Sequence, residues 1–300
     1  MITSSIFYKT LKSDRKDERF EAIQKTFPNC SVVKNSVWNK CNLAIIQGWP
    51  KPGSDTPHNM FRRYVIEKQK NHCGHILTVD GNIFNYLSKN IYFRYSMNGI
   101  FANTGYYFDK EIDPNRWTNI SKVTECKLKP WRKTGDHILI LMQKSSGWTM
   151  CGLDGLKWCT STIKKIREYS DRDIVIRLHP TDNHLVNGYI SNLEKSRVTI
   201  SRNKSILEDL KNAWCSITYN SSPGAVSAIE GVPVFIMDPD WKKSPVADVG
   251  NYDMSMLESP YIIDRETWIQ KIAMSHYSIQ DIKDGLLWKE VSKYLDVGKI

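Results

Sequence analysis

Thr218-Tyr-Asn-Ser-Ser-Pro-Gly-Ala-Val-Ser-Ala-Ile-Glu-Gly-Val-Pro-Val-Phe235 joins two apolar runs through a short polar turn and a segment of small residues. The first run, Cys215 to Tyr219, has the length and the apolar character of a buried strand. Ser222 suits a helix N-cap, and Pro223 suits the first helical position, where its missing N–H would be unpaired in any case. The helix this predicts ends near Glu230-Gly231, and Val232 to Met237 reads as the next strand. Strand, helix and strand in that order define a parallel crossover, the unit of α/β folds.

The same rhythm extends upstream. His137 to Met142 reads as a strand, Ser145-Ser-Gly147 as a loop, Leu156 to Tyr169 as a helix and Asp173 to Leu178 as a strand. A helix over Leu185 to Glu194, a strand over Val198 to Ile200 and a capped helix over Ser205 to Lys211 complete a doubly wound sheet. The turn-rich, basic stretch Lys129-Pro-Trp-Arg-Lys-Thr-Gly135 precedes it and is read as a domain boundary. Ahead of that boundary, strands Ser5 to Tyr8, Ser31 to Val33, Leu43 to Ile46 and His75 to Asp80 alternate with helices over Asp14 to Thr26 and after Pro57. Residues 90–131 give only a short strand, Tyr92 to Tyr95, among loops. The expected architecture is α/β, with two Rossmann-like domains (1–133 and 134–264) and a cleft between them. A helical tail over 265–300 carries Trp268, Ile272, Ile282 and Trp288 to pack back across them.

Three hundred residues exceed what one core usually serves, which agrees with two domains. A hydrophobic fraction of 41% with 25% charged residues excludes a largely disordered chain. Charge follows the first apolar run at once, so neither a secretory signal nor a transit peptide fits, and no run approaches the ~20 apolar residues of a membrane span. A cytoplasmic location is expected. The seven cysteines are scattered without a CxxC pair, against a disulfide framework or a structural zinc site. The net charge of +10 favours polyanionic partners, although it is spread along the chain as a solvated surface also would be.

Three loops carry chemistry suited to anions. At the Asn220–Pro223 turn, free backbone N–H groups and the hydroxyls of Ser221 and Ser222 would face whatever lies beyond the strand. In Ile174-Val-Ile-Arg-Leu-His-Pro180, alternation puts Arg177 and His179 on one face, where they can neutralise a phosphate. The competing reading makes Arg177 a structural ion pair. Ser146 and Gly147 close the third loop, where small residues permit close approach. A doubly wound sheet gathers such loops along its carboxyl edge.

The order of a strand with a Ser/Gly loop, a strand with Arg-x-His-Pro, and Asn-Ser-Ser-x-Gly-x5-Glu-Gly-x-Pro-Val resembles the donor-binding half of GT-B glycosyltransferases. The resemblance implies a nucleotide-sugar donor whose phosphates rest on Ser221 and Ser222, with His179 on the nucleotide phosphate and Glu230 on the ribose. The whole chain is similar to glycosyltransferase-like proteins of tailed bacteriophages, through Lys129-Pro-Trp131, Gly147-Trp148, Ser275-His276 and a later Gly-x-x-Trp-Lys. That similarity implies a 5-hydroxymethylated pyrimidine of phage DNA as the favoured acceptor. A lipopolysaccharide or capsule glycan is the alternative, and a non-catalytic nucleotide-sugar or nucleic-acid binding module the second.

In that arrangement the general base comes from the N-terminal domain. Asp80 fits, since it ends a buried run and precedes Gly81; Asp55 and Asp109 are reserves. Arg94, Arg132 and Lys133, among aromatics such as Tyr92 and Trp131, are the expected acceptor contacts. No metal is expected. Asp238-Pro-Asp240 has the spacing of a metal-holding triplet but follows the last strand as a loop, and His72-Cys-Gly-His75 lacks two further ligands. No cofactor beyond the donor itself is implied.

Overall fold

The computed structural model describes residues 1–7, 17–33, 37–81, 83–86, 91–101, 103–144, 148–150, 152–180, 182 and 197–296. The strands are β1 (Ser4–Phe7), β2 (Cys30–Val33), β3 (Leu43–Gln47), β4 (His75–Asp80), β5 (Tyr92–Met97), β6 (His137–Leu141), β7 (Asp173–Arg177), β8 (Val198–Ile200), β9 (Ala213–Thr218), β10 (Val234–Ile236) and β11 (His276–Ser278). The helices are α1 (Glu18–Thr26), α2 (Pro57–Asn71), α3 (Pro114–Thr124), α4 (Gly155–Arg167), α5 (Ile206–Leu210), α6 (Pro223–Ile229), α7 (Glu266–Met274), α8 (Ile279–Lys283) and α9 (Leu286–Asp296). The expected helix over Leu185 to Glu194 lies outside the described residues.

The chain divides into two compact units, Met1–Thr118 with Gln270–Ile300, and Asn119–Ile269. In the second, five parallel strands lie in the order β10-β9-β6-β7-β8. The chain winds outward from β6 to β8, then returns across β6 to lay down β9 and β10. The strand order therefore reverses between β6 and β9, where a doubly wound sheet opens a crevice at its carboxyl edge. Ile138, Leu139, Ile140 and Leu141 are all buried, as a strand covered on both faces requires. Helix α4 starts at Asp154, whose carboxylate accepts from the N–H groups of Leu156 and Lys157. It buries Trp158, Cys159, Ile163 and Ile166 and ends in Lys164, Lys165 and Arg167, favourable charges at a helix C-terminus.

The first unit holds a six-stranded sheet, β11-β5-β4-β3-β1-β2. Strands β1 to β4 run parallel, while β5 and β11 run antiparallel to their neighbours. One face packs α1, capped by Asp17, through Phe20 and Ile23 against Ile6, Leu77, Val79 and Tyr95. The other face packs α2 through Phe61, Val65 and Ile66 against Ala44, Ile46 and Ile76.

Three expectations about organisation meet a different structure. Residues 129–133, expected to close the first domain, bond into the second unit: Lys129 N–H donates to Ile229 O (2.9 Å) and Arg132 N–H to Gly231 O (2.7 Å). The tail leaves the second unit at Ile269, and from Met274 onward Tyr277, Ile282, Leu287 and Val291 complete the first unit's core. The loop-like region contains α3, which buries Trp117, Ile120 and Thr124 at helical spacing. Among the described residues no helix is long and apolar enough to cross a membrane. The described cysteines are free thiols, with Cys41, Cys126, Cys159 and Cys215 buried.

Candidate active site

At the carboxyl edge of the second sheet the chain leaves β6 into Met142-Gln143, β9 into Tyr219-Asn220 and β10 into Met237-Asp238. Gln143, Asn220 and Asp238 are buried and form one network. The Asn220 backbone N–H donates to Gln143 Oε1 (2.8 Å), and the Asn220 side-chain amide donates to Asp238 Oδ2 (2.5 Å) and to Thr149 O (3.1 Å). Gln143 Nε2 donates to Thr149 Oγ1 (2.8 Å), and Asp238 Oδ1 accepts from Asp240 N–H (2.9 Å). These polar groups are satisfied by one another, as burial demands, and so fix the turn that follows Asn220.

In that turn Ser221 is bound at its hydroxyl by Thr218 Oγ1 (2.8 Å), which also accepts the Ser221 N–H (3.2 Å). Ser222 occupies the N-cap position with helical backbone angles, φ −57° and ψ −31°, and its hydroxyl makes no capping bond. Gly224 lets the helix press onto the sheet; a Cβ there would meet Thr218 Cγ2 at 3.1 Å and Val246 Cγ2 at 3.3 Å. Ser146 and Gly147 lie outside the described residues.

Arg177 ends β7 and is engaged by protein on every side. Its Nη1 pairs with Asp209 Oδ2 at 2.5 Å and donates to the Asn203 and Ser205 carbonyls at 3.1 and 3.3 Å, while Nη2 donates to Lys204 O at 3.0 Å. This is the structural ion pair of the competing reading, and Asp209 is also held by Ser201 and Asn203. His179, two residues on, is half-buried. Burial lowers its pKa, Asp182 acts to raise it, and Lys144 acts to lower it further. An imidazole and an ammonium thus stand near one another beyond β6 and β7.

Glu230 does not join this edge. It caps the far end of α6, about 12 Å of helix from Ser222 at 1.5 Å per residue. There it is ion-paired with Lys129. Arg132 stands at the same end, donating to Leu210 O (2.5 Å) and to Ala213 O (3.1 Å) at the start of β9; Lys133 is exposed beside it. Burial lowers the pKa of Arg132 and Glu230 acts to raise it. The expected ribose contact and two expected acceptor contacts are therefore neighbours at the amino edge. The helix ends among them: the Lys129 and Arg132 backbone N–H groups and the Arg265 guanidinium satisfy the carbonyls of Ile229, Gly231 and Ala228.

At the carboxyl edge of the first sheet, register sets Asp80 opposite Arg94, and Arg94 Nη2 pairs with Asp80 Oδ2. The expected base and an expected acceptor contact thus bond each other. Burial opposes the charge on Arg94, but Tyr107 and Asp80 outweigh it, and its pKa is raised. Arg94 Nε is buried without a partner among the described residues. Arg62, reaching in from α2, stands with Nη1 3.8 Å from where a Cβ on Gly48 would lie. Burial lowers its pKa and Asp80 acts to raise it. Beside Arg94 in β11, His276 is fully buried: its Nδ1–H donates to Ile272 O (2.8 Å), and Nε2 accepts the Ile83 N–H (3.3 Å). Burial above all, then Arg94 and Arg116, push its pKa down to about 3 against the pull of the Ile272 bond.

Of the residues read from sequence, the structure brings Ser221, Ser222, Arg177 and His179 to one sheet edge and pairs Asp80 with Arg94 at another. Sequence reading missed Gln143, Asn220 and Asp238 as site residues, though each directly or nearly follows a buried strand. It also passed over Arg62 as more than one basic residue among many. The histidine cluster is structural: His72 stacks on Trp38 with ring centroids 4.7 Å apart, and His75 Nδ1 lies 3.2 Å from Asn98 Nδ2. Among the described residues no group of three His, Cys, Asp or Glu side chains gathers to hold a metal.

Two sheets of mainly parallel strands, the second in the order 3-2-1-4-5 and the first beginning 2-1-3-4, define a pair of Rossmann-like domains of the GT-B kind. Solved structures bear out that fold. The chain is similar to a Thermosulfurimonas dismutans KpsC structure described as a β-Kdo 2,7 transferase, at 14% identity and a TM-score of 0.55 over 96% of this chain and 99% of that one. It is similar to a second KpsC structure from the same organism, a β-Kdo 2,4 transferase, at 12% identity and a TM-score of 0.56 over 95% and 98%. No protein-family model matches the chain, and no curated protein matches its sequence.

Proposed function

We propose that the protein is a glycosyltransferase that moves a sugar from a nucleotide-sugar donor to a hydroxyl of a glycan. The observation that carries this reading is the turn after β9, held by the Gln143–Asn220–Asp238 network, with the Ser222 hydroxyl not engaged in capping its own helix. Such a turn at the reversal point of a doubly wound sheet offers fixed N–H and O–H donors to a diphosphate or phosphodiester. Lys144 supplies charge for the leaving nucleotide, and His179, whose burial disfavours its cation, offers a hydrogen bond. The likeness in fold to two Kdo transferases supports the same reading.

In the proposed reaction an acceptor hydroxyl attacks the anomeric carbon, its proton passes to Asp80, and the bond from that carbon to the nucleotide phosphate oxygen breaks. The Arg94 pair orients the Asp80 carboxylate. The donor phosphates are met by hydrogen bonds from Ser221, Ser222 and His179 and by the charge of Lys144, so the proposal requires no metal. A DNA acceptor has less support at the residue level, because Arg132 is bonded to backbone carbonyls rather than presented to phosphates.

The purified protein is incubated with mixed nucleotide sugars, glycan acceptors and hydroxymethylcytosine DNA, with and without EDTA, and products are weighed by mass spectrometry. A sugar-sized gain on a glycan is expected, unaffected by EDTA. Asp80→Asn should still show a donor-induced rise in melting temperature but no turnover. A gain on DNA alone reassigns the acceptor, and no donor stabilisation with any nucleotide sugar removes the reading.

A further inference from the structure

We propose that Arg62 and Arg94, at the carboxyl edge of the first sheet, form a subsite for a single negative charge on the acceptor, a sugar carboxylate; this rests on the transferase reading above. Charge balance comes first. Two guanidinium groups meet one carboxylate, Asp80, and Asp80 is bonded to Arg94. Arg62 is half-buried with no hydrogen-bond or ion-pair partner among the described residues, and Arg94 Nε is buried with none. Partial desolvation of a cation is costly, and an arriving anion restores what burial removed.

Shape comes second. Gly48 follows β3 in the left-handed region, φ +66°, and its N–H is tied to Val79 O at 2.8 Å. Arg62 Nη1 lies 3.8 Å from where a Cβ on residue 48 would stand, which sets the guanidinium fork against the turn that follows β3, next to the end of β4. The fork geometry matches a planar carboxylate bidentately. The net excess of one positive charge matches a monoanion, and Asp80 disfavours a dianion such as a phosphate monoester. A phosphodiester shares the monoanionic chemistry and is the other source to separate.

The test is a titration of the 15N-labelled full chain with glucuronate, glucose and dimethyl phosphate, following the arginine Nε–H resonances by NMR. Arg62→Gln assigns the Arg62 signal, and it should fold normally since no hydrogen bond is lost. Glucuronate is expected to move the Arg62 and Arg94 signals saturably while glucose does not, with affinity about tenfold or more weaker in Arg62→Gln, the scale of a charged hydrogen bond. Tighter binding of dimethyl phosphate than glucuronate overturns the carboxylate assignment. Equal shifts with glucose, no shift with any probe, or an unaltered Arg62→Gln titration overturns the subsite. Nucleotide-sugar binding is read separately from melting temperature, so its absence sinks the transferase reading without touching this result.

Discussion

His276 can be protonated only by breaking structure, because Nε2 accepts the Ile83 N–H and Nδ1–H donates to Ile272 O in a fully buried site. Its folded pKa of about 3 lies far below the value near 6.5 of an unfolded chain. Between those values the unfolded state binds a proton that the folded state refuses. Stability from this residue is therefore fully present above pH ~6.5 and falls as the pH drops toward 3, by up to ~1.4 kcal/mol per unit. Urea unfolding at pH 7.5 and 5.5 should show a loss about 1 kcal/mol larger in the native protein than in His276→Asn. Equal pH slopes in the two proteins would mean that His276 titrates normally. The loss would be felt at the first sheet's site, since Ile83 follows closely on Asp80 and Gly81.

At the scale of elements, the turn from β9 into α6 depends on a neutral amide facing a carboxylate. Asn220→Asp sets two carboxylates against each other in a buried position, which costs more than loss of a hydrogen bond. Asn220→Asp should destabilise by several kcal/mol and abolish donor-induced stabilisation, whereas Asn220→Asp with Asp238→Asn should recover part of both, since the bond across the pair returns while the bond to Thr149 O stays lost. A double variant as impaired as the single one would show that the two side chains do not act as a pair. Elements of this kind were largely legible in the sequence. Strands β6, β7 and β9 are apolar on both faces, and Ser205 announces its helix. Partners distant in sequence were not legible: alternation brings Arg177 to the sheet edge, but nothing local marks Asp209, 32 residues on, as the group that engages it. Helix α3 was hidden for a different reason, since Trp117, Ile120 and Thr124 sit among Asn, Gly and aromatic residues that read as loop.

For the whole molecule, the division of the chain was the least legible feature, because turn residues mark where a chain bends and not which core it enters. Lys129-Pro-Trp-Arg-Lys133 has the composition of a linker, yet its backbone terminates α6 and its arginine bonds the Leu210 and Ala213 carbonyls, so it belongs to the second unit. The tail carries an amphipathic pattern that could cover either core, and the choice rests on Met274, Tyr277, Ile282, Leu287 and Val291 fitting beside Ile6, Leu77 and Tyr95. Each such side chain contributes about 1.5–3 kcal/mol when buried, so the five together contribute on the order of 10 kcal/mol, comparable to a domain's whole stability. A chain truncated after Ile269 should therefore lose the first unit: amide hydrogen exchange over residues 1–118 becomes unprotected, while β6 to β10 stay protected. Adding a nucleotide sugar to the truncated protein should still slow exchange in the Tyr219–Ser222 turn, because the groups proposed to hold the donor all lie in 119–269. If protection of residues 1–118 survives the truncation, the tail is an appendage and the first core is complete without it.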